Sequence, residues 1–193
     1  MTNDTELAAH RAAEALVAYL SDHGLTVACA ESLTAGLAAA TLAHVPGASA
    51  VLRGGVVTYA TDTKHDVLAV SDETLATVGP ISRQCAEEMA NNVRELFGAD
   101  WGLSFTGVAG PDSQDGHPVG EVWIGLADPD GWSVALRAYP PRHHRWVLLP
   151  GEPTPTPLVD GDRNTIRLAS VEYAFTVFES TLRQLHDDET GNK

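Results

Sequence analysis

Ser32, Tyr59 and Lys64 are the side chains with which this 193-residue chain could do nucleophilic chemistry. Ser32 closes the run Thr26-Val-Ala-Cys-Ala-Glu-Ser, where a small-residue strand pattern breaks and an Ala/Leu-rich helical pattern begins. A hydroxyl at such a junction stands near helix N–H groups that lack intrahelical acceptors and favour negative charge. It could be a nucleophile beside an oxyanion site or only an N-cap; position alone favours the cap. Tyr59 and Lys64 follow in Arg53-Gly-Gly-Val-Val-Thr-Tyr59-Ala-Thr-Asp-Thr-Lys64, the tyrosine at a strand end and the lysine on a turn or first helical turn. An amide hydrolase lacking a His/Asp pair can use Ser with Lys, provided burial or nearby cations strip the ammonium of its proton near neutral pH. A tyrosine can relay that proton or hold the lysine in place. An interfacial tyrosine with a snorkelling lysine is the plain alternative, and spacing alone prefers it.

Two further segments could take an anion. Thr106-Gly107-Val-Ala-Gly110-Pro follows a strand pattern and could expose backbone N–H groups to a phosphate or oxyanion. It lacks the Gly-Lys-Ser/Thr of a P-loop and the spacing of a dinucleotide fingerprint, so alone it reads as a tight turn. Gly161-Asp-Arg163-Asn-Thr-Ile-Arg167 opens the last helix, with Asp162 as N-cap and the two arginines on one face. Alone it reads as a solvated basic face, yet in a chain with 12 basic residues it is where an anion would go. His143-His144 sits in a proline-rich loop with no ligand spacing, so no metal is expected.

The elements that must position these groups alternate between helix and strand patterns. Apolar spacing predicts helices over about 5–22, 34–44, 82–97 and 162–185, with shorter pieces at 63–68 and 71–78. Strands are predicted over 25–30, 50–59 and 100–106, with Gly54-Gly55 marking a bulge or close backbone approach. Segments 119–127 and 132–139 form a hairpin around Asp128-Pro-Asp-Gly131. Residues 140–160 read as a proline-rich surface excursion, and 1–4 and 187–193 as frayed ends. The expected fold is α/β: a three-layer α/β/α sandwich on a mixed β-sheet, one domain over 1–193.

Asp and Glu outnumber Lys and Arg by 26 to 12, for a formal charge of −14. Such a field repels phosphate polymers, so neither nucleic acid nor an anionic membrane is an expected partner. There is no apolar run of spanning length and no signal-peptide layout, and two distant cysteines suit a reducing compartment. The protein reads as cytoplasmic, with a disulfide between Cys29 and Cys85 left open.

Taken in order, the blocks A-E-S-x-T-x-G, V-P-G-A-S-A, R-G-x-V-T-Y with Lys64 behind it, T-G-x-A-G-P, P-V-G-x-V-W-I-G-L-A and G-D-R-x-x-I-R resemble the CinA C-terminal domain family. The enzymes of that family are nicotinamide-mononucleotide amidohydrolases. The resemblance implies a three-layer α/β/α sandwich, often in homo-oligomers (here with a dimer favoured). It also implies hydrolysis of the nicotinamide-mononucleotide carboxamide to nicotinate mononucleotide and ammonia, without metal or cofactor, in pyridine-nucleotide salvage. By the same resemblance Ser32 would be nucleophile, Lys64 its base and Tyr59 the relay or positioning group. Thr34, Gly36, Thr106, Gly107, Gly110, Arg163 and, more weakly, Arg167 would meet the nucleotide. Longer members carry a further N-terminal domain, so this chain reads as a stand-alone form. The usual A-E-S-C-T-G-G is here A-E-S-Leu33-T-Ala35-G. Added bulk after the nucleophile, and a Cβ where φ > 0 would be costly, motivate an alternative: a non-catalytic nucleotide-binding or interaction module on the same fold.

Overall fold

The computed structural model describes residues 2–191 of the chain, so Met1, Asn192 and Lys193 lie outside the described residues. Five strands form one mixed sheet: β1 (Val27–Glu31), β2 (Leu52–Val57), β3 (Trp101–Gly107), β4 (Val122–Ala127) and β5 (Ser133–Arg137), in the order β2-β1-β3-β4-β5. β1 runs parallel to both β2 and β3, whereas β4 and β5 close the other side as an antiparallel hairpin. The expected bulge is present: the β1–β2 register slips so that Val27 faces Leu52 and Ala28 faces Gly54. Helices cover both faces, which makes the architecture the α/β sandwich that the sequence predicts.

Alternation along the strands decides which helix goes where. Val27, Cys29, Trp101, Leu103, Phe105, Val122, Ile124 and Leu126 point to one face and join the main core. That face takes α1 (Thr2–Asp22), α2 (Leu37–Ala43) and the long last helix, α3 (Arg163–Gly191). The intervening residues are small: Ala28, Ala30, Gly102, Ser104 and Gly125. Against this smooth face lies α4 (Arg83–Phe97), whose turns come so close that a Cβ on Gly102 would sit 1.9 Å from the Ala90 carbonyl oxygen. Ser104 donates to the Ala86 carbonyl at 2.6 Å, satisfying both groups inside this tight layer. Ser82 caps α4 by accepting from the Cys85 N–H, as its spacing predicts.

Two short helices, α5 (Thr61–Leu68) and α6 (Asp72–Thr77), precede α4 on the same side. α5 carries Lys64, which its burial sends under the sheet instead of into solvent.

The structure corrects several sequence boundaries. The helix expected from Thr34 begins only at Leu37, because residues 33–36 form a turn with Ala35 at φ 51° and Gly36 at φ 91°. The 140–160 excursion contains a second, two-stranded antiparallel sheet of β6 (His144–Val147) and β7 (Thr156–Val159). Its buried Leu158 and Val159 anchor it, and Val159 N–H donates to the Gly120 carbonyl at 2.8 Å. The ends expected to fray are helical as far as they are described: α1 begins at Thr2 and α3 continues to Gly191. Cys29 and Cys85 are both free and buried, so the open question of a disulfide closes against it.

Candidate active site

The site lies beyond the carboxyl ends of the parallel strands, where β2 and β3 flank β1 on its two sides and the connections after β1 and β2 run to opposite faces of the sheet. Open α/β sheets place their ligand crevices at such a switch point. Here a cavity of about 300 Å³ opens, lined among others by Ser32, Tyr59, Lys64, Thr106, Gly110 and Arg163. That volume is at the small end of ligand pockets.

Lys64 crosses under the sheet to Ser32. Its Nζ lies 3.0 Å from Ser32 Oγ and donates to the Thr58 carbonyl oxygen at 2.7 Å. The lysine is 2% exposed and the serine 8%. No carboxylate pairs with the amine among the described residues. Burial therefore pushes the Lys64 amine below its ordinary 10.5, with the neighbouring Cys85 thiol pulling weakly the other way. The thiol itself is pushed up to about 12, by burial first, with Lys64 opposing and Glu88 adding. An amine that sheds its proton easily beside a hydroxyl is the arrangement a Ser/Lys nucleophile requires.

The cap reading of Ser32 is replaced by another residue. Glu31, buried and one residue earlier, accepts from the N–H groups of Gly36 at 2.9 Å, Ala38 at 3.1 Å and Ala39 at 2.9 Å. Its carboxylate occupies the positive end of α2 and leaves the Ser32 hydroxyl to Lys64. Spacing rules gave no signal for this, since Glu31 stands before the turn and not at the third helical position of a capping box. The same holds for the Thr58 carbonyl: a backbone ligand has no sequence signature.

Tyr59 is 55% exposed at the cleft mouth, and its hydroxyl accepts from Arg163 Nη2 at 2.6 Å. Lys64 and Ser32 meet directly, whereas Tyr59, expected as relay or positioning group, has its hydroxyl bonded to Arg163. Arg163 also donates through Nη1 to the Gly110 carbonyl, strapping the β2 end to the Thr106–Pro111 turn across the mouth. Thr106, Gly107 and Gly110 all line the cleft, and Thr106 Oγ1 donates to the Pro80 carbonyl at 2.6 Å. Asp112 and Gln114, which the sequence did not mark, complete that wall.

The remaining expected contacts lie elsewhere. Thr34 is fully buried behind the nucleophile turn, and the Gly36 N–H is committed to Glu31. Arg167 does not share the cleft with Arg163. Its Nε donates to the Leu33 carbonyl at 3.2 Å and its Nη2 to that of Thr34 at 2.7 Å. Of the two motif departures, Leu33 joins the apolar core and also lines the cleft, while Ala35 adopts the left-handed conformation.

The model of the CinA C-terminal domain matches residues 9–145. A competence-damage inducible protein of Limosilactobacillus fermentum is 54% identical over 171 residues, 89% of this chain but 37% of its own length. A Listeria innocua protein of the same name is 50% identical over 113 residues, 58% of this chain and 27% of its own. The chain thus spans about a third of the length of such relatives. Among solved structures, a competence/damage inducible protein from Agrobacterium tumefaciens superposes with a TM-score of 0.75 at 31% identity, covering 90% of this chain and 94% of its own. A CinA superfamily protein from Klebsiella pneumoniae does so with a TM-score of 0.79 at 28% identity, over 91% and 98%. Residues 9–145 are more than half of the chain and the solved structures share its fold, so the chain belongs to the CinA C-terminal domain family.

Proposed function

We propose that the protein is a Ser/Lys amidohydrolase that deamidates nicotinamide mononucleotide. The reading rests above all on the 3.0 Å contact between Lys64 Nζ and Ser32 Oγ, in a buried setting where no carboxylate holds the amine protonated. Neutral Lys64 takes the hydroxyl proton as Ser32 Oγ bonds to the carboxamide carbon. Collapse of the tetrahedral intermediate breaks the C–N bond, and the leaving nitrogen takes the proton from Lys64 and departs as ammonia. Lys64 then takes a proton from the water that attacks the acyl-enzyme, and returns it to Ser32 Oγ as the ester C–O bond breaks and the nicotinate product leaves. Throughout, the Thr58 carbonyl keeps Nζ in place by accepting one of its hydrogens.

The cleft suits the rest of such a substrate. Arg163 supplies a guanidinium at its mouth, and in the adjoining turn the Val108 N–H is committed to the Glu121 carbonyl while Ala109 and Gly110 would turn theirs to a phosphate. In a chain of charge −14, that local cation is what an anionic ligand needs.

The test is ammonia release from nicotinamide mononucleotide, with Ser32→Ala and Lys64→Ala as controls. Turnover lost in both variants is expected; equal turnover in wild type and Ser32→Ala would sink the mechanism. Calorimetric binding without product over long incubation would instead favour the non-catalytic module.

A further inference from the structure

The Ser32–Ala35 turn is held from behind by a residue that never reaches the cleft. Each peptide unit is planar and trans, so its C=O and N–H point in opposite directions. Arg167 grips the Leu33 carbonyl from the α3 side, which aims the Thr34 N–H away from α3. Its second bond, to the Thr34 carbonyl, fixes the next peptide and so the Ala35 N–H, which donates to the Ser32 carbonyl at 3.0 Å. That last bond fixes the Ser32–Leu33 peptide and with it the Leu33 N–H. One guanidinium fork thereby sets three successive peptide planes following the nucleophile.

The N–H groups of Leu33 and Thr34 take no acceptor among the described residues, whereas those of Ser32, Ala35 and Leu37 donate to Phe105, Ser32 and Thr34 carbonyls. The α2 N–H groups of Ala38 and Ala39, and that of Gly36, are taken by Glu31. Along the chain after Ser32, the free donors are therefore in the turn and not at the start of the helix. In α/β-hydrolases the N–H of the residue after the nucleophile serves the oxyanion hole.

We propose that Arg167 is a positioning residue, holding the turn so that the N–H of Leu33, which lines the cleft, stands where the oxyanion forms, and not a ligand for the nucleotide. The proposal rests on the Ser/Lys reading. It explains why two arginines four residues apart have separate tasks: Arg163 faces the cleft, and Arg167 the backbone that carries Ser32. A lysine cannot replace it, because a single ammonium does not present a planar fork to two carbonyls.

The test uses Arg167→Met and Arg167→Lys in the full chain, with three readouts. Removing one oxyanion donor costs about 10²–10³ in kcat, so displacing the turn in Arg167→Met should lower kcat about 30-fold or more, with KM within about 3-fold. Arg167→Lys should fall between that variant and wild type. Amide hydrogen exchange over residues 33–36 should quicken by about tenfold or more while that of α3 holds. Ser32 labelling by a fluorophosphonate should slow in parallel with kcat. A raised KM with kcat intact would make Arg167 a substrate ligand and overturn the proposal. Unchanged exchange at 33–36, or quickened exchange throughout α3, would overturn it equally. If wild type labels at Ser32 but leaves nicotinamide mononucleotide intact, the substrate assignment fails while labelling and exchange still decide Arg167. If Ser32 does not label at all, the Ser/Lys reading fails and exchange alone decides whether the fork holds the turn.

Discussion

The two ends of the same parallel strands are built to opposite rules. At the amino end, Thr26 and Asp100 satisfy each other completely. Thr26 N–H and Oγ1 donate to Asp100 Oδ2 at 2.8 and 2.6 Å, and Asp100 N–H donates back to Thr26 Oγ1 at 3.0 Å. At the carboxyl end, a lysine is buried without a counter-charge among the described residues, Ala35 takes a left-handed φ, and the buried hydroxyls of Thr34 and Thr58 have no partner among those residues. Each of these is a cost that a site built only for stability would avoid. The difference teaches where to look for chemistry: the strand ends tie the sheet together on one side and hold an uncompensated amine against a hydroxyl on the other.

The largest expected effect breaks the comparison at its reactive end. Lys64→Met should remove at least about 10³ of the amidase rate, on the scale of losing one member of a nucleophile–base pair. The same variant tests the amine's ionisation. Its folded pKa lies below 10.5, so between the two values the unfolded chain binds a proton that the folded chain does not, and stability rises with pH. Wild type should therefore gain on Lys64→Met in urea melts as pH rises through that window toward 10.5 and lose the gain as pH falls through the lowered value. The rate of the wild-type enzyme should rise through the same lowered ionisation.

At the opposite end, Thr26→Val should cost about 1 kcal/mol in urea denaturation, because it removes the half-buried Oγ1 bond to Asp100 Oδ2 and the acceptor of the Asp100 N–H. Its kcat should be unchanged, since nothing at that end touches the cleft. A Thr26→Val variant that lost activity without losing stability would collapse the distinction between the two ends.

The smallest effect sharpens the comparison. Ala35 at φ 51° carries a left-handed penalty of about 1–2 kcal/mol that glycine would relieve, less glycine's own entropy cost. Ala35→Gly should raise stability by about 1 kcal/mol, about 2–4 °C in melting temperature for a chain of this size. Unchanged or lower stability would mean that the turn is not strained there.

Much of the fold was legible because it rests on local pattern. Ser82 as a cap, the Asp128–Gly131 hairpin turn and the Gly54 register slip all follow from residue type at a spacing, which short-range sterics enforce. The start of α2 was not legible, since Glu31 reaches forward over a turn whose shape depends on Ala35, Gly36 and a distant arginine. The β6–β7 sheet was hidden by its prolines, and its docking depends on a backbone bond to Gly120 across 39 residues of chain.

By itself the sequence determined the strand and helix periods, the small-residue face that admits α4, and the three side chain types that a Ser/Lys site needs. Only the tertiary structure decided how they meet. It placed Lys64 against Ser32 and drew Tyr59 away to Arg163, and it turned Arg167 onto the backbone. The reason is physical: periodicity is set by neighbours along the chain, whereas an amine's ionisation and an arginine's partner depend on burial and on carbonyls brought near only when the sheet closes.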